Sequence, residues 1–201
     1  MFGVPSGVLG DPSGLLASGG ELVDGVVVAS LDLHLSQARP YGEPEQLSGT
    51  VEALLLAADA EAPLTRVAEA TATAGRGLEG DRYALGRGTF SGAGRGYELT
   101  LIEAKALEAL AAAGTTVSWE DARRNVVTRG IGLNALVGRE FTIGEVRCVG
   151  RRLAEPCAHL QRLAPDGVLH GLVHRGGLRA DIVSGGTIRV GDAVAAVPDP
   201  A

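Results

Sequence analysis

Two stretches toward the C-terminal end share one pattern: a short apolar segment, a glycine followed by an acid, and a second short apolar segment. Glu140-Phe141-Thr142-Ile143 passes through Gly144-Glu145 into Val146-Arg147-Cys148-Val149. Thr187-Ile188-Arg189-Val190 passes through Gly191-Asp192 into Ala193 to Val197. Segments of this length, rich in β-branched residues and split by a glycine turn, read as β-hairpins. Thr50 to Ala57, Thr65 to Ala74 and Asn125 to Arg129 add further short strand candidates. So many short strands beside few helical stretches predict a mainly β (α+β) fold. The sheet closes wholly or partly into a barrel, with one long helix and one or two short ones, rather than forming a doubly wound sheet. Aromatic residues make up 3% of the chain, so the core of such a barrel has to be aliphatic.

The long helix is predicted after Tyr97-Glu98-Leu99. Thr100-Leu101-Ile102-Glu103 has the spacing of a capping box, in which the threonine bonds a third-position amide and the glutamate reaches back. Ile102, Ala106, Leu110 and Ala113 share one helical face, and Gly114 stands where a left-handed residue ends a helix. Ser118-Trp119-Glu120-Asp121 offers a second cap before a short turn through Arg124.

Residues 1–47 read differently from the remainder. Met1 to Gly20 is rich in Gly, Ser and Pro without sustained periodicity, which predicts disorder. Val26 to Ala29, with Leu31, Leu33 and Leu35, could form one strand, and Pro40, Gly42 and Pro44 mark a linker. We therefore take 1–47 as a flexible extension and 48–198 as the domain. No apolar run reaches the ~20 residues that span a bilayer, and no basic stretch leads into an apolar leader. With only two cysteines, this predicts a cytoplasmic protein without a disulfide framework or membrane attachment.

The net charge of -6 argues against general nucleic-acid binding. The charge is uneven. Residues 1–75 carry two bases against ten acids, and residues 76–201 carry sixteen bases against fourteen acids. All the bases but Lys105 are arginines. This fits either an Ala/Gly/Arg-rich genome or a site that pairs guanidinium groups with oxyanions. A single lysine leaves little room for Schiff-base chemistry.

Chemistry points to Leu153-Ala154-Glu155-Pro156-Cys157-Ala158-His159-Leu160. Pro156 fixes φ and biases Glu155 to an extended form, so no helix through Cys157 starts before the proline. A cysteine at such a break, near arginines, is where a thiolate can be stabilised. A buried apolar cysteine is the plainer reading. Cys148, in strand alternation with Val146, reads as core. Gly75 to Tyr83 and Gly86 to Gly96 form a long, charged, glycine-broken loop of the kind that carries function in a compact domain. Two rivals stay open. Cys157-x-His159 with His170-x3-His174 could supply four zinc ligands, although Cys-x-His is a tight spacing. Cys157 with His159 as base could also serve a thiol hydrolase.

Gly77 to Arg82, Arg123-Arg124-Asn125-Val126-Val127-Thr128-Arg129-Gly130, Leu136 to Glu145 and Glu155-Pro156-Cys157-Ala158-His159-Leu160, in that order, resemble the MOSC family. This is the domain at the carboxyl end of molybdenum cofactor sulfurases, and it also occurs as free-standing bacterial proteins. Arg179-Ala180-Asp181-Ile182-Val183 through Gly191-Asp192 fits too, and the resemblance spans about residues 49–197. It implies a mostly β barrel that binds molybdenum cofactor (Mo-molybdopterin), or sulfur destined for it. Cys157 takes the place of the family's ligand or sulfur-carrying cysteine. Arg123, Arg124, Asn125 and Arg129 take the places of its basic and polar cofactor residues. Alternation along a strand would turn one of Arg123 and Arg124 inward, and we take Arg124. Asp81 and Arg82 lie in the family's glycine-rich loop, expected over the site. Asp81 is either a ligand or the ion-pair partner of Arg82 or Arg76. His159, Arg175 and Arg179 complete the candidates.

The activity implied is reduction of N-hydroxylated compounds with electrons from a donor protein, or sulfur carriage from a sulfur donor. A non-enzymatic pterin or sulfur carrier is the alternative. Labels of the family also mention pyridoxal phosphate, which nothing in this sequence supports.

Overall fold

The computed structural model describes Leu22–Val23, Val26–Val27, residues 46–92 and residues 94–198. The expected disorder of 1–20, the linker at Pro40 to Pro44 and most of the proposed extension lie outside the described residues. Of the strand expected near Val26, Val26–Val27 (β2) pairs antiparallel with Leu22–Val23 (β1). This ribbon belongs to a unit of its own, Met1–Ala38.

The second unit is built on a closed barrel. Its strands are β3 (Ser48–Leu56), β7 (Leu99–Glu103), β8 (Val126–Arg129), β9 (Glu140–Ile143), β10 (Val146–Leu153), β11 (Leu178–Ser184) and β13 (Ala193–Ala196). They run around the barrel in the order β13-β9-β10-β11-β7-β8-β3, and β3 pairs back onto β13. β4 (Thr65–Val67) hydrogen-bonds to β3, while β12 (Gly186–Arg189), β5 (Glu69–Thr73) and β6 (Gly77–Leu78) form a separate three-stranded sheet. β7 and β8 are parallel. Parallel neighbours need a crossover, and α1 (Ala104–Ala112) supplies it. Two shorter helices, α2 (Ala158–Leu163) and α3 (Val168–Gly171), follow β10.

Strand alternation divides the core in two. Val51, Leu54, Leu99, Leu101, Val126, Phe141 and Cys148 point into the barrel. Their neighbours Ala53, Leu55, Ile102 and Val127 point outward and are covered by Leu107 and Leu110 of α1, Leu160 of α2 and Val168 of α3. β3, β7 and β8 are therefore buried on both faces, which is why their sequences read as apolar runs. Each fully buried Leu, Ile or Val contributes roughly 1.5–3 kcal/mol by leaving water.

Several sequence expectations are corrected here. Thr100 and Glu103 are not a capping box: both lie in β7, and the helix starts at Ala104 with no side-chain cap. The Thr100 hydroxyl bonds Asn125, and the Glu103 carboxylate accepts the Leu133 amide. Of the predicted face Leu110 is buried, but it is joined by Ala104 and Leu107 rather than Ala106 and Ala113, because Ile102 belongs to β7 and the helix starts two residues later. The helix end follows expectation. Gly114 adopts φ 97°, and the Thr115 amide bonds the Leu110 carbonyl while Gly114 bonds Ala111, a Schellman closure.

The β9–β10 hairpin forms as read, with Gly144 (φ 55°) at the first turn position. The second hairpin does not form. β12 pairs with β5 and β13 with β9 and β3, so the Gly191-Asp192 turn joins two different sheets. The single strand read over Thr65 to Ala74 is two, divided at Ala68.

Candidate functional site

Register brings one end of the barrel together. β10 ends at Leu153 opposite Leu178 at the start of β11, and Arg179 lies opposite Thr100 near the start of β7. β8 starts beside β7 and runs parallel to it. The segment before β8 (122–125), the segment after β10 (154–160) and the loop between β6 and β7 thus converge on one cleft.

Cys157 is half-buried in the cleft wall. Its backbone is extended, and α2 begins with the next residue, as Pro156 requires. In the same cleft lies Arg124, buried, with no carboxylate partner among the described residues. Its Nε donates to the Gly176 carbonyl (2.9 Å), Nη1 to Ala122 (3.1 Å) and Nη2 to Ala154 (2.8 Å). Burial first, then the Arg179 charge, lowers the Arg124 guanidinium to about 10, and the Cys157 sulfur acts in the opposite sense. Arg124 therefore remains a cation at neutral pH, close enough to Cys157 for the two to interact.

Arg123 also lines the cleft, so alternation does not separate the pair. The two precede β8, and Arg123 sits at φ 57°, a left-handed conformation, which aims its Nη1 at the Ala62 carbonyl (3.1 Å) and its Nη2 at that of Ala60 (2.5 Å). Burial, and then the charge of Arg82, lowers its guanidinium below the ordinary arginine range.

Asp81 and Asn125 stand one layer behind the wall. The Asp81 carboxylate accepts hydrogen bonds from Arg82 Nη1 (3.2 Å), Asn125 Nδ2 (3.0 Å), the Tyr83 amide (3.0 Å) and the Ala57 amide (3.3 Å). Of the alternatives left open for Asp81, the structure displays the ion pair with Arg82. Asn125 also donates to the Leu55 carbonyl (3.2 Å), and its Oδ1 accepts the Thr100 hydroxyl (2.8 Å). Arg82 lines the cleft and donates its Nη2 to the Arg123 carbonyl (3.3 Å).

His159, in the first turn of α2, also lines the cleft. Its Nδ1 bonds Arg162 (2.9 Å) and its Nε2 bonds Thr89 (3.3 Å). Both ring nitrogens are engaged away from Cys157, which leaves the base of the thiol-hydrolase reading occupied. Arg179, from β11, completes the basic wall.

Two candidates are not brought to the cleft. Arg129 closes β8 on the outer surface, paired with Glu52 and Glu108, which raise its pKa. Arg175 is exposed and faces a separate hollow with Leu110, His170 and Val173. The proposed zinc set is not assembled either. His170 faces that second hollow, and His174 pairs with Glu155 (2.8 Å). Among the described residues no group of three or more His, Cys, Asp or Glu could hold a metal ion.

The structure adds residues that sequence reasoning missed: Tyr83, Thr89, Phe90, Thr100 and Glu155 line the cleft. Tyr83, Phe90 and Tyr97 pack in a row, 6.2 Å between the tyrosines and 6.1 Å from Phe90 to Tyr97. Their signal was available: in a chain so poor in aromatics, three fall within one glycine-rich loop. That loop is tied down by carboxylates. Glu98 accepts the amides of Gly75 (3.1 Å) and Ile182 (2.9 Å), and Asp181 accepts the Gly96 amide and Arg151 Nε (2.7 Å).

One end of the closed barrel thus places a thiol among guanidinium groups, side chains able to meet an anion or a soft metal. The sequence profile described as the MOSC domain matches residues 90–195. The chain belongs to the MOSC domain family. Solved structures similar to it include the YuaD protein from Bacillus subtilis, with a TM-score of 0.63 at 13% identity over 73% of this chain and 94% of that one. YiiM from Escherichia coli has a TM-score of 0.52 at 17% identity, over 75% and 71% of the two chains. YiiM from Geobacillus stearothermophilus has 0.51 at 11% identity, over 76% and 75%. At these identities the likeness concerns the fold. No curated protein matches the chain.

Proposed function

We propose that the chain binds molybdenum cofactor in this cleft, with Cys157 as the protein's ligand to the metal, and reduces N-hydroxylated compounds there. The observation that carries the reading is the meeting of Cys157 with Arg82, Arg123, Arg124 and Arg179 in one cleft. A thiolate is a soft donor suited to such a metal, and it forms more readily beside cations. The residues fit the group in charge as well as in softness. A cofactor bearing a phosphate and a flat pterin needs cations and stacking surfaces, and this wall supplies guanidinium groups beside Tyr83 and Phe90. One guanidinium nitrogen, Arg179 Nη1, is buried without a hydrogen-bond partner among the described residues.

When bound, the cofactor would supply a two-electron centre able to take oxygen from a substrate. The chain's own contribution is to hold that group through Cys157 and the arginines. Arg124 keeps the Cys157 wall in place by tying Ala154 to Gly176, and Glu155 presents a carboxylate at the cleft edge. A donor protein would deliver the electrons. The half-exposed, unpaired Cys157 sulfur also suits a sulfur carrier that passes a persulfide to the cofactor.

Protein purified from a cofactor-competent host is expected to contain molybdenum, and Cys157→Ser to lose it while keeping the fold. Equal molybdenum in the two would overturn the ligand role. A persulfide assay on metal-free protein separates the carrier from the reductase.

A further inference from the structure

The four cleft arginines are not equally free. Arg124 spends Nε, Nη1 and Nη2 on three backbone carbonyls. Arg123 spends Nη1 and Nη2 on the carbonyls of Ala62 and Ala60. Arg82 is committed to Asp81 and to the Arg123 carbonyl. Arg179 differs: its Nη1 is buried and, among the described residues, has no hydrogen-bond partner. An unpartnered buried donor is costly, and a guanidinium keeps its charge, so the lost bond is not recovered by shedding a proton.

Arg179 is also held in one orientation. Its guanidinium carbon lies 5.0 Å from the Tyr97 ring centre and 5.6 Å from that of Phe90, and the two ring centres are 6.1 Å apart. The three separations form a triangle rather than a line, so the rings do not sandwich the guanidinium from opposite sides. Cation–π contact holds the guanidinium beside the two rings. Its guanidinium, with no hydrogen bond to a carbonyl or carboxylate among the described residues, is what Arg179 can offer to the cleft it lines. The acid lining the cleft, Glu155, is engaged with His174 and does not neutralise it.

We propose that Arg179 is the anchor for an oxyanion carried by whatever ligand enters beside Cys157, the other cleft arginines serving chiefly to build the wall. The anion is either the phosphate of the cofactor or a carboxylate or phosphate on the substrate. The chemistry at Arg179 is the same: a charge-assisted hydrogen bond donated by its guanidinium. The proposal rests on the cleft being the ligand site, as argued above, but not on the metal being present.

The test uses the full chain from a host unable to make the pterin cofactor. It is titrated with inorganic phosphate, with benzoate and with benzamide as the neutral shape control, followed by ring resonances of Phe90 and Tyr97. Phosphate and benzoate are expected to bind and benzamide not to. Arg179→Met should weaken both anions about tenfold or more, and Arg179→Lys, which keeps the charge, should restore part of the loss. Benzamide binding as well as benzoate, or an Arg179→Met chain that binds both anions like wild type, would overturn the anchor. Should Arg179→Met fail to fold, the contrast between benzoate and benzamide in wild type still decides.

Loading then separates the sources. Reduced molybdenum in Arg179→Met from a competent host assigns the anion to the cofactor, and full molybdenum with lost benzoate binding assigns it to the substrate. Failure of the cofactor reading looks different: equal molybdenum in Cys157→Ser and wild type, with anion binding intact.

Discussion

Asp81 accepts four hydrogen bonds while almost wholly buried, one of them from an arginine that is itself buried. Removing the carboxylate would leave the Arg82 charge in a dry site with three further donors unanswered. Asp81→Ala is expected to cost about 3–5 kcal/mol, the usual penalty for breaking a buried pair from one side, measurable by denaturant unfolding. The two cysteines make a sharper contrast. Cys148 lies inside the barrel, where burial first, then Glu98 and Asp181, pushes its thiol up to about 12. The thiolate is the reactive form, so iodoacetamide at neutral pH should label Cys157 alone in the folded chain and both cysteines in denaturant. Labelling of Cys148 in the folded chain would contradict the barrel interior assigned to it. Cys148→Ser should cost about 1–3 kcal/mol by burying a hydroxyl, without altering the cleft.

Between residues and the whole lie the elements, and here a glycine pair decides the geometry. The Gly176 carbonyl accepts Arg124, and Gly177 adopts φ 99° at the point where β11 begins beside β7. A Cβ on Gly177 would stand 1.8 Å from the Leu101 carbonyl oxygen, a backbone atom that cannot step aside. Gly177→Ala should therefore unfold or severely destabilise the chain, whereas Gly80→Ala, with open space around its Cβ, should cost only the strain of a left-handed backbone.

The elements also show what could be read from the sequence. The hairpin at Gly144 was legible because its strands meet their partners two residues apart. The strands flanking Gly191 carry the same pattern but find partners more than fifty residues away in β9 and more than a hundred away in β3 and β5, and nothing local encodes that choice. Thr100 and Glu103 imitate a helix start because a cap is three residues of spacing, while the pairing that recruits them into β7 lies in β8 and β11. Cys157 and Arg124 were recognisable from their motifs. Arg129 shared the Arg124 motif and went to the other surface, because β8 runs away from the cleft. Phe90 and Thr89 carried no motif at all.

On the scale of the molecule, two half-buried carboxyls contribute to the pH dependence. Burial is the leading cause that raises Glu98 and Glu103 above the ordinary glutamate range. A raised carboxyl holds its proton in the folded chain at a pH where the unfolded chain has released it. Its stabilising contribution is complete below the unfolded value, and it is lost as pH rises through the folded value. Glu98→Gln keeps an acceptor for Gly75 and Ile182 but cannot ionise. It should raise the Tm relative to wild type at pH 7, and the gain should shrink as pH falls toward about 4. A gain of equal size at both pH values would mean that ionisation is not the cause.

Closure of the ring through β3 and β13 has a consequence for engineering. Ser48 lies beside Ala195, so the first and last staves of the barrel already touch. A short splice joining them, with new termini cut between Gly144 and Glu145, would reorder the gene while keeping every rung of the ladder.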